Sequence, residues 1–77
     1  MKGMVALSKK NEIIDWLENA EGKCYCDECL TKLLNIGSKQ YTNVICNELM
    51  HRNEIRRKHG VCSYCGKKDI INSMEWF

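Results

Sequence analysis

Cysteine is the residue type in this chain with the most evident chemistry. Six cysteines occur among 77 residues, and four of them form two C-x-x-C pairs. The second pair continues as C-x-x-C-G-K, which is typical of a zinc knuckle, a tight turn that directs backbone N–H groups at the thiolates. Four thiolates make a closed tetrahedral site. The spacing therefore predicts a structural Zn²⁺ ion bound by Cys26, Cys29, Cys62 and Cys65.

Two other uses of paired cysteines stay open at this level. The cysteines could form disulfides, but the apolar stretch at the N-terminus is too short for a signal peptide, and stable disulfides are rare in a reducing cytoplasm. A redox-active C-x-x-C motif normally lies in a βαβ unit, and the sequence does not predict one. Structural zinc is the interpretation that the pattern favours.

The other metal-binding residue types are expected to lie outside this site. Cys24 comes two residues before Cys26, so on a strand both side chains point the same way, and Cys24 could replace Cys26 as a ligand. Otherwise Cys24 is a small buried side chain. Cys46 lies among apolar neighbours in the middle of a predicted helix, which favours the core. His51 and His59 are predicted to be surface residues.

The size and composition of the chain limit the functions it can have. Seventy-seven residues predict a single domain over residues 1–77, with a core of about 8–74. A domain this small needs a metal, disulfides or a partner chain. Hydrophobic residues make up 44% and charged residues 29%, a globular composition. We expect no enzyme, because a catalytic pocket is hard to build here. No apolar run is long enough for a transmembrane helix, and we expect a cytoplasmic protein.

Three helices must position the cysteines. Apolar periodicity predicts a first helix over residues 8–20, capped by Ser8. A second helix begins near Cys26 or Asp27, where acidic residues suit the positive end of the helix dipole, and ends at 36–37 with Gly37 in a left-handed conformation. Ser38 then caps a third helix that runs to about residue 52. The short turn between the last two helices has the length of a helix-turn-helix connection.

Strands are predicted around these helices. Residues 23–25 form a short β-like stretch before the second helix. Residues 55–60 and 68–74 form a hairpin with the second C-x-x-C pair at its tip. Thirty-two residues separate Cys29 from Cys62, more than the roughly 15–20 of a zinc ribbon. Elements the size of a helix pair must therefore lie between the two halves of the site.

This order of elements resembles the winged helix-turn-helix domains of bacterial and archaeal regulators. The resemblance is strongest in the run Leu49–Arg57 (LMHRNEIRR), where a core leucine, a short turn, a β-branched residue and arginine join the recognition helix to the wing. Asn53 stands where glycine is usual, and asparagine tolerates the left-handed conformation. The resemblance covers about residues 8–74. It implies an α+β fold of three helices, a short strand and a C-terminal β-hairpin, which zinc would join to the second helix.

The resemblance implies that the partner is double-stranded DNA, and the charge distribution agrees. Residues 1–29 carry four lysines and six acidic residues, whereas residues 30–77 carry eight lysines and arginines and four acidic residues. Within residues 39–68, the predicted recognition helix and wing, seven basic residues accompany two acidic ones. Positive charge there suits contacts to DNA phosphates. The predicted function is that of a small zinc-binding transcriptional regulator.

The predicted DNA contacts lie on the third helix and on the hairpin. Amide side chains on the outer face of the helix can bond the major-groove edge of adenine, and a valine there can meet a thymine methyl group. Basic side chains on the hairpin can contact the DNA backbone. The predicted contact residues are Lys39, Gln40, Asn43, Val44, Asn47, Arg57, Lys58, Lys67 and Lys68.

Two other functions stay open. A zinc-stabilised adaptor for protein partners, without nucleic-acid binding, would expose an apolar patch larger than a monomer needs. The candidates for that patch are Val5, Leu7, Trp16, Trp76 and Phe77. A zinc or thiol sensor would need a labile site, with Cys24 and Cys46 as additional thiols. Many winged helices bind DNA as dimers, and the first helix and the C-terminal tail could form a homodimer.

Overall fold

A computed structural model describes residues 9–74, which form three helices and a three-stranded antiparallel sheet. The elements in chain order are α1 (Lys9–Glu18), β1 (Tyr25–Cys26), α2 (Asp27–Leu33), α3 (Lys39–His51), β2 (Arg56–Val61) and β3 (Lys68–Ser73). The strand order is β1-β3-β2. The predicted α+β architecture of three helices, a short strand and a C-terminal hairpin is thus confirmed.

The hydrophobic core takes side chains from all three helices and from the sheet. Ile13 and Leu17 of α1 are buried, as their helical spacing predicts. On α3 the buried side chains are Thr42, Ile45, Cys46 and Leu49. These four are the inner face that the periodicity predicts. Ile45, Cys46 and Leu49 pack in one cluster with side chains of α2 and of the sheet.

Helix α2 ends at Leu33, earlier than predicted. Asn35 rather than Gly37 supplies the left-handed residue that terminates it, with φ 53°. The N–H of Ile36 donates to the carbonyl of Thr31 at 3.0 Å, the long bond of a Schellman motif. Gly37 also has a positive φ, 114°, but it lies in the turn towards α3. Asparagine can end a helix in this way because it tolerates the left-handed region.

The ends of α3 lie close to where the sequence places them. The Ser38 hydroxyl accepts a hydrogen bond from the Tyr41 N–H at 3.1 Å, which confirms Ser38 as the N-cap. At the other end Asn53 adopts φ 61°, the left-handed conformation predicted for it. The N–H of Glu54 donates to the Leu49 carbonyl at 2.9 Å. A second Schellman termination therefore directs the chain from α3 into the hairpin.

Strand β1 brings the start of α2 against the tip of the hairpin. β1 covers Tyr25–Cys26, slightly later than the predicted 23–25, and Cys26 pairs with Ile71 of β3. The Ser63 N–H donates to the Cys24 carbonyl at 2.8 Å, and the Cys24 N–H donates to Ser63 Oγ at 3.1 Å. These bonds hold the tip of the hairpin beside the residues that lead into α2.

Several predictions concern residues that the structure does not describe. The Ser8 cap and the packing of Trp76 and Phe77 lie outside residues 9–74, as do Val5 and Leu7 of the apolar patch. Helix α1 ends at Glu18, two residues before the predicted end. Across residues 9–74, no helix has the length and apolar character needed to cross a membrane.

Candidate metal centre and the face of helix α3

The four predicted ligand cysteines come together from two distant parts of the chain. Cys26 ends β1, Cys29 lies in the first turn of α2, and Cys62 and Cys65 lie in the hairpin tip. The four sulfur atoms all lie within 4.8 Å of one another. The Cys26 and Cys65 sulfurs are 3.8 Å apart, and the Cys29 and Cys62 sulfurs 3.7 Å. All four are free thiols, and the group can hold a metal ion.

Backbone N–H groups from β1 and from the hairpin tip point at the Cys62 sulfur. The N–H groups of Cys26 and Tyr64 each lie 3.4 Å from it. The turn that allows this is closed by the Gly66 N–H, which donates to the Cys62 carbonyl at 2.9 Å, and Gly66 has φ 76°. Glycine suits this position because a side chain disfavours a positive φ. The C-x-x-C-G-K sequence thus forms the turn that its composition predicts.

Burial and hydrogen bonding change the pKa values of three of the four thiols in different directions. Burial opposes ionisation of Cys62, but the backbone N–H groups of Cys65, Cys26 and Tyr64 outweigh it and lower the pKa of the Cys62 thiol to about 6. Burial raises the pKa of Cys26 and, more strongly, that of Cys29. The protein thus favours the Cys62 thiolate, and a bound metal would favour the thiolates of Cys26 and Cys29.

The other cysteines and the histidines lie outside the four-cysteine cluster. Cys24 is half-buried, and its thiol faces the Gly22 carbonyl at 4.0 Å. Cys46 is fully buried in the core, as predicted. Burial raises the pKa of its thiol to about 12. His51 and His59 are exposed, which confirms that prediction.

Replacing Cys46 with alanine should leave metal binding intact. The variant loses one buried sulfur from the core, and we expect a loss of roughly 1 kcal/mol of unfolding free energy. Metal content per chain should equal that of the wild type by elemental analysis, and urea titration should give the stability change. A variant that binds less metal would show that Cys46 takes part in the site.

A buried polar cluster lies directly beside the cysteines, and sequence reasoning missed it. The Asp27 and Arg57 side chains are each 4% exposed. The Arg57 guanidinium donates to both carboxylate oxygens of Asp27, at 2.9 and 3.3 Å, and to Asn72 Oδ1 at 2.8 Å. Asn72 Nδ2 donates to Asp27 Oδ1 at 2.8 Å and to the Tyr25 carbonyl at 2.9 Å. The cluster ties α2 to β1, β2 and β3.

Two predicted DNA contacts of α3 extend this cluster towards the surface. Asn43 Nδ2 donates to Asp27 Oδ2 at 3.1 Å, and Asn47 Nδ2 donates to Asn43 Oδ1 at 3.2 Å. Both asparagines are half-buried. The structure therefore places Arg57 and Asn43 in internal hydrogen bonds, while Asn47 lies at the outer end of the chain of bonds.

The remaining predicted DNA contacts are exposed. On α3 these are Lys39, Gln40 and Val44, and on the hairpin they are Lys58, Lys67 and Lys68. Lys39 pairs with Asp69 at 3.3 Å, which connects the start of α3 to β3. Lys67 pairs with Glu28 of α2 at 2.9 Å. Val44 is 62% exposed, so the outer face of α3 has an uncovered apolar side chain among polar ones.

Comparisons of this chain with protein-family models, with curated proteins and with solved structures found no match. The chemistry of the site is therefore inferred from its own geometry. Four thiols able to hold a metal ion lie at the junction of α2 and the hairpin, and the outer face of α3 is open to solvent.

Proposed function

We propose that this protein is a small DNA-binding regulator of the winged helix-turn-helix type, in which a structural Zn²⁺ ion joins α2 to the hairpin. The observation that carries the proposal is the position of the four sulfur atoms. They lie together where the hairpin tip meets the start of α2, while Gln40 and Val44 on the outer face of α3 are exposed.

The distances between sulfurs support zinc as the metal. Zinc binds cysteine sulfur at about 2.3 Å in a tetrahedron, which places two ligand sulfurs about 3.8 Å apart. Two of the sulfur–sulfur distances, 3.8 and 3.7 Å, agree with that geometry, and all four sulfur atoms lie within 4.8 Å of one another. Four cysteines leave no open position, so the site is of the structural kind. Iron also accepts four thiolates, and elemental analysis of purified protein distinguishes the two. We expect one zinc per chain.

The arrangement of elements supports the winged-helix interpretation. The order is helix, short strand, two helices and a hairpin, and β1 pairs with β3 rather than with β2. Residues 34–38 connect α2 to α3, and α3 buries only the face that packs on the core. In a helix-turn-helix protein the outer face of the second helix enters the major groove.

The surface beside α3 supports DNA as the partner. A cleft of about 190 Å³ separates α3 from the hairpin. It is lined by Asn47, Met50, Arg57, Lys58, His59 and Ile70. Lys58 of this cleft is exposed, and Lys68 is exposed at the start of β3. Basic side chains can contact the DNA phosphates while polar side chains on the neighbouring helix face contact base edges.

A salt-dependent titration of zinc-loaded protein with mixed-sequence duplex DNA tests this function. Binding should weaken linearly with the logarithm of salt concentration, because phosphate contacts release counterions. Replacing Lys68 with glutamine should lower the slope by about 1. Lys32, a lysine of α2 whose side chain is 75% exposed, provides the matched control, and Lys32→Gln should leave the slope nearly unchanged.

Two outcomes would contradict DNA binding through the hairpin and α3. One is the absence of any binding at low salt by zinc-loaded, folded protein. The other is an equal effect of Lys68→Gln and Lys32→Gln, which would indicate attraction without a defined face. Either outcome would favour the adaptor function, in which the same fold binds a protein partner.

A further inference from the structure

We propose that Asn47 recognises an adenine in the major groove, and that Asp27 and Asn43 determine which side of its amide faces the base. This inference rests on the proposed DNA binding. It assigns different roles to two asparagines that the sequence alone treats alike.

The chain of hydrogen bonds begins at a carboxylate with a fixed position. Asp27 receives two bonds from the Arg57 guanidinium and one from the Asn72 amide. Its side chain is 4% exposed, so water has little access to it. A carboxylate paired with a guanidinium only accepts hydrogen bonds. Any amide that contacts Asp27 must therefore turn its nitrogen towards it.

The orientation that Asp27 imposes on the Asn43 amide in turn determines the orientation of the Asn47 amide. Asn43 turns its Nδ2 to Asp27 Oδ2 at 3.1 Å, so its Oδ1 is left for the neighbour on the outer side. Asn47, four residues further along the helix, donates from its own Nδ2 to that oxygen at 3.2 Å. The orientation of the Asn47 amide is thereby set, with its Oδ1 and its second N–H available to a ligand.

An amide with one acceptor and one donor available complements adenine. In the major groove adenine offers an N6 amine donor beside the N7 acceptor, whereas guanine offers two acceptors and cytosine an amine donor alone. Asn47 also lines the cleft between α3 and the hairpin. It lies on the same face of α3 as the exposed Gln40 and Val44. Because Asn43 fixes the Asn47 amide, its nitrogen and oxygen cannot exchange places, and the oxygen stays available to accept from the adenine amine.

The experiment measures base preference with zinc-loaded protein. Selection from a random duplex pool first gives the preferred site, and affinities are then measured with each base at every position. At one position wild type should prefer adenine by between about 5- and 150-fold. Asn47→Ala should abolish the preference at that position only. Asn47→Asp, which can only accept, should move the preference there to cytosine.

The positioning role of Asn43 is tested by a double-mutant cycle. Asn43→Ala should lower the adenine preference by about threefold or more in the wild-type background. In the Asn47→Ala background Asn43→Ala should leave the affinity for the preferred site unchanged, whereas loss of a residue that only supports the fold would lower that affinity in both backgrounds. Glu48→Gln, at an exposed residue of α3 that is not among the predicted contacts, is the matched control and should leave the preference at this position unchanged.

A readout without DNA accompanies these measurements. The side-chain amide signals of Asn47 in ¹H–¹⁵N spectra of free protein should move in Asn43→Ala, while zinc content stays at the wild-type value. If Asn43→Ala does not fold, Asn43→Ser takes its place, because its hydroxyl is too short to reach Asn47.

The outcomes separate this inference from the proposed function. Sequence-selective binding in which Asn43→Ala keeps the full adenine preference overturns the role of Asp27 and Asn43 and leaves DNA binding in place. A preference for another base at the position that Asn47→Ala affects overturns the adenine assignment. Failure of wild-type protein to bind any duplex overturns both.

Discussion

Removal of the metal should leave the chain largely unfolded. Structural zinc contributes on the order of 10 kcal/mol of binding free energy that is coupled to folding, whereas the core of so small a domain rarely supplies more than about 3–5 kcal/mol. Two of the proposed ligand cysteines are also part of that core, since Cys26 and Cys62 are 0% and 1% exposed. Protein unfolded with a chelator and then returned to buffer should give a collapsed ¹H–¹⁵N spectrum, and added Zn²⁺ should restore its dispersion.

Cysteine variants provide the matched comparison. Cys62→Ser removes the thiol that receives the backbone N–H groups and should abolish stable metal binding. Cys24→Ser removes a half-buried thiol two residues from the site and should keep one metal per chain. A dispersed spectrum from metal-free wild type would contradict the structural role. Loss of metal in Cys24→Ser would instead show that the ligand set includes Cys24.

Features encoded by neighbouring residues could be predicted from the sequence. The C-x-x-C spacing encodes two ligands and the turn between them, so only the meeting of the two pairs required the fold. Ser38 and Asn53 were predictable for the same reason, because a cap or a left-handed residue acts on the few N–H and carbonyl groups beside it. The inner face of α3 follows from helical periodicity, which core packing enforces.

The polar cluster could not be predicted, because its charges meet only in the folded chain. Asp27 and Arg57 are 30 residues apart. From the sequence alone, Asp27 is explained by the positive end of the helix dipole, and Arg57 by the basic character of the hairpin. Periodicity places Asn43 on the outer half of α3, but it does not say that Asp27 lies within reach of that edge. The sequence-based prediction therefore places Asn43 and Arg57 at the DNA-contact surface, whereas in the fold both donate hydrogen bonds to Asp27.

Replacing Arg57 with methionine should lower the stability of the fold substantially, although by less than removal of the metal does. The change keeps a long side chain but leaves the Asp27 carboxylate buried without its cation. Breaking a buried ion pair by removing one partner costs about 3–5 kcal/mol. Urea unfolding of the zinc-loaded protein at neutral pH measures this loss. The exposed Lys68 of β3 is the control, and Lys68→Met should change stability far less, because surface charges are solvated in both states.

The same pair of variants separates a structural arginine from a DNA contact. Under conditions where Arg57→Met is still folded, its salt slope for duplex binding should equal that of wild type, because the guanidinium already binds Asp27 and Asn72. Lys68→Met should show the reverse, with stability retained and a slope lower by about 1. A lowered slope in folded Arg57→Met, with little loss of stability, would mean that Arg57 leaves Asp27 to contact phosphate. In that case the Asp27 carboxylate would have to gain water or another hydrogen-bond donor in the DNA complex.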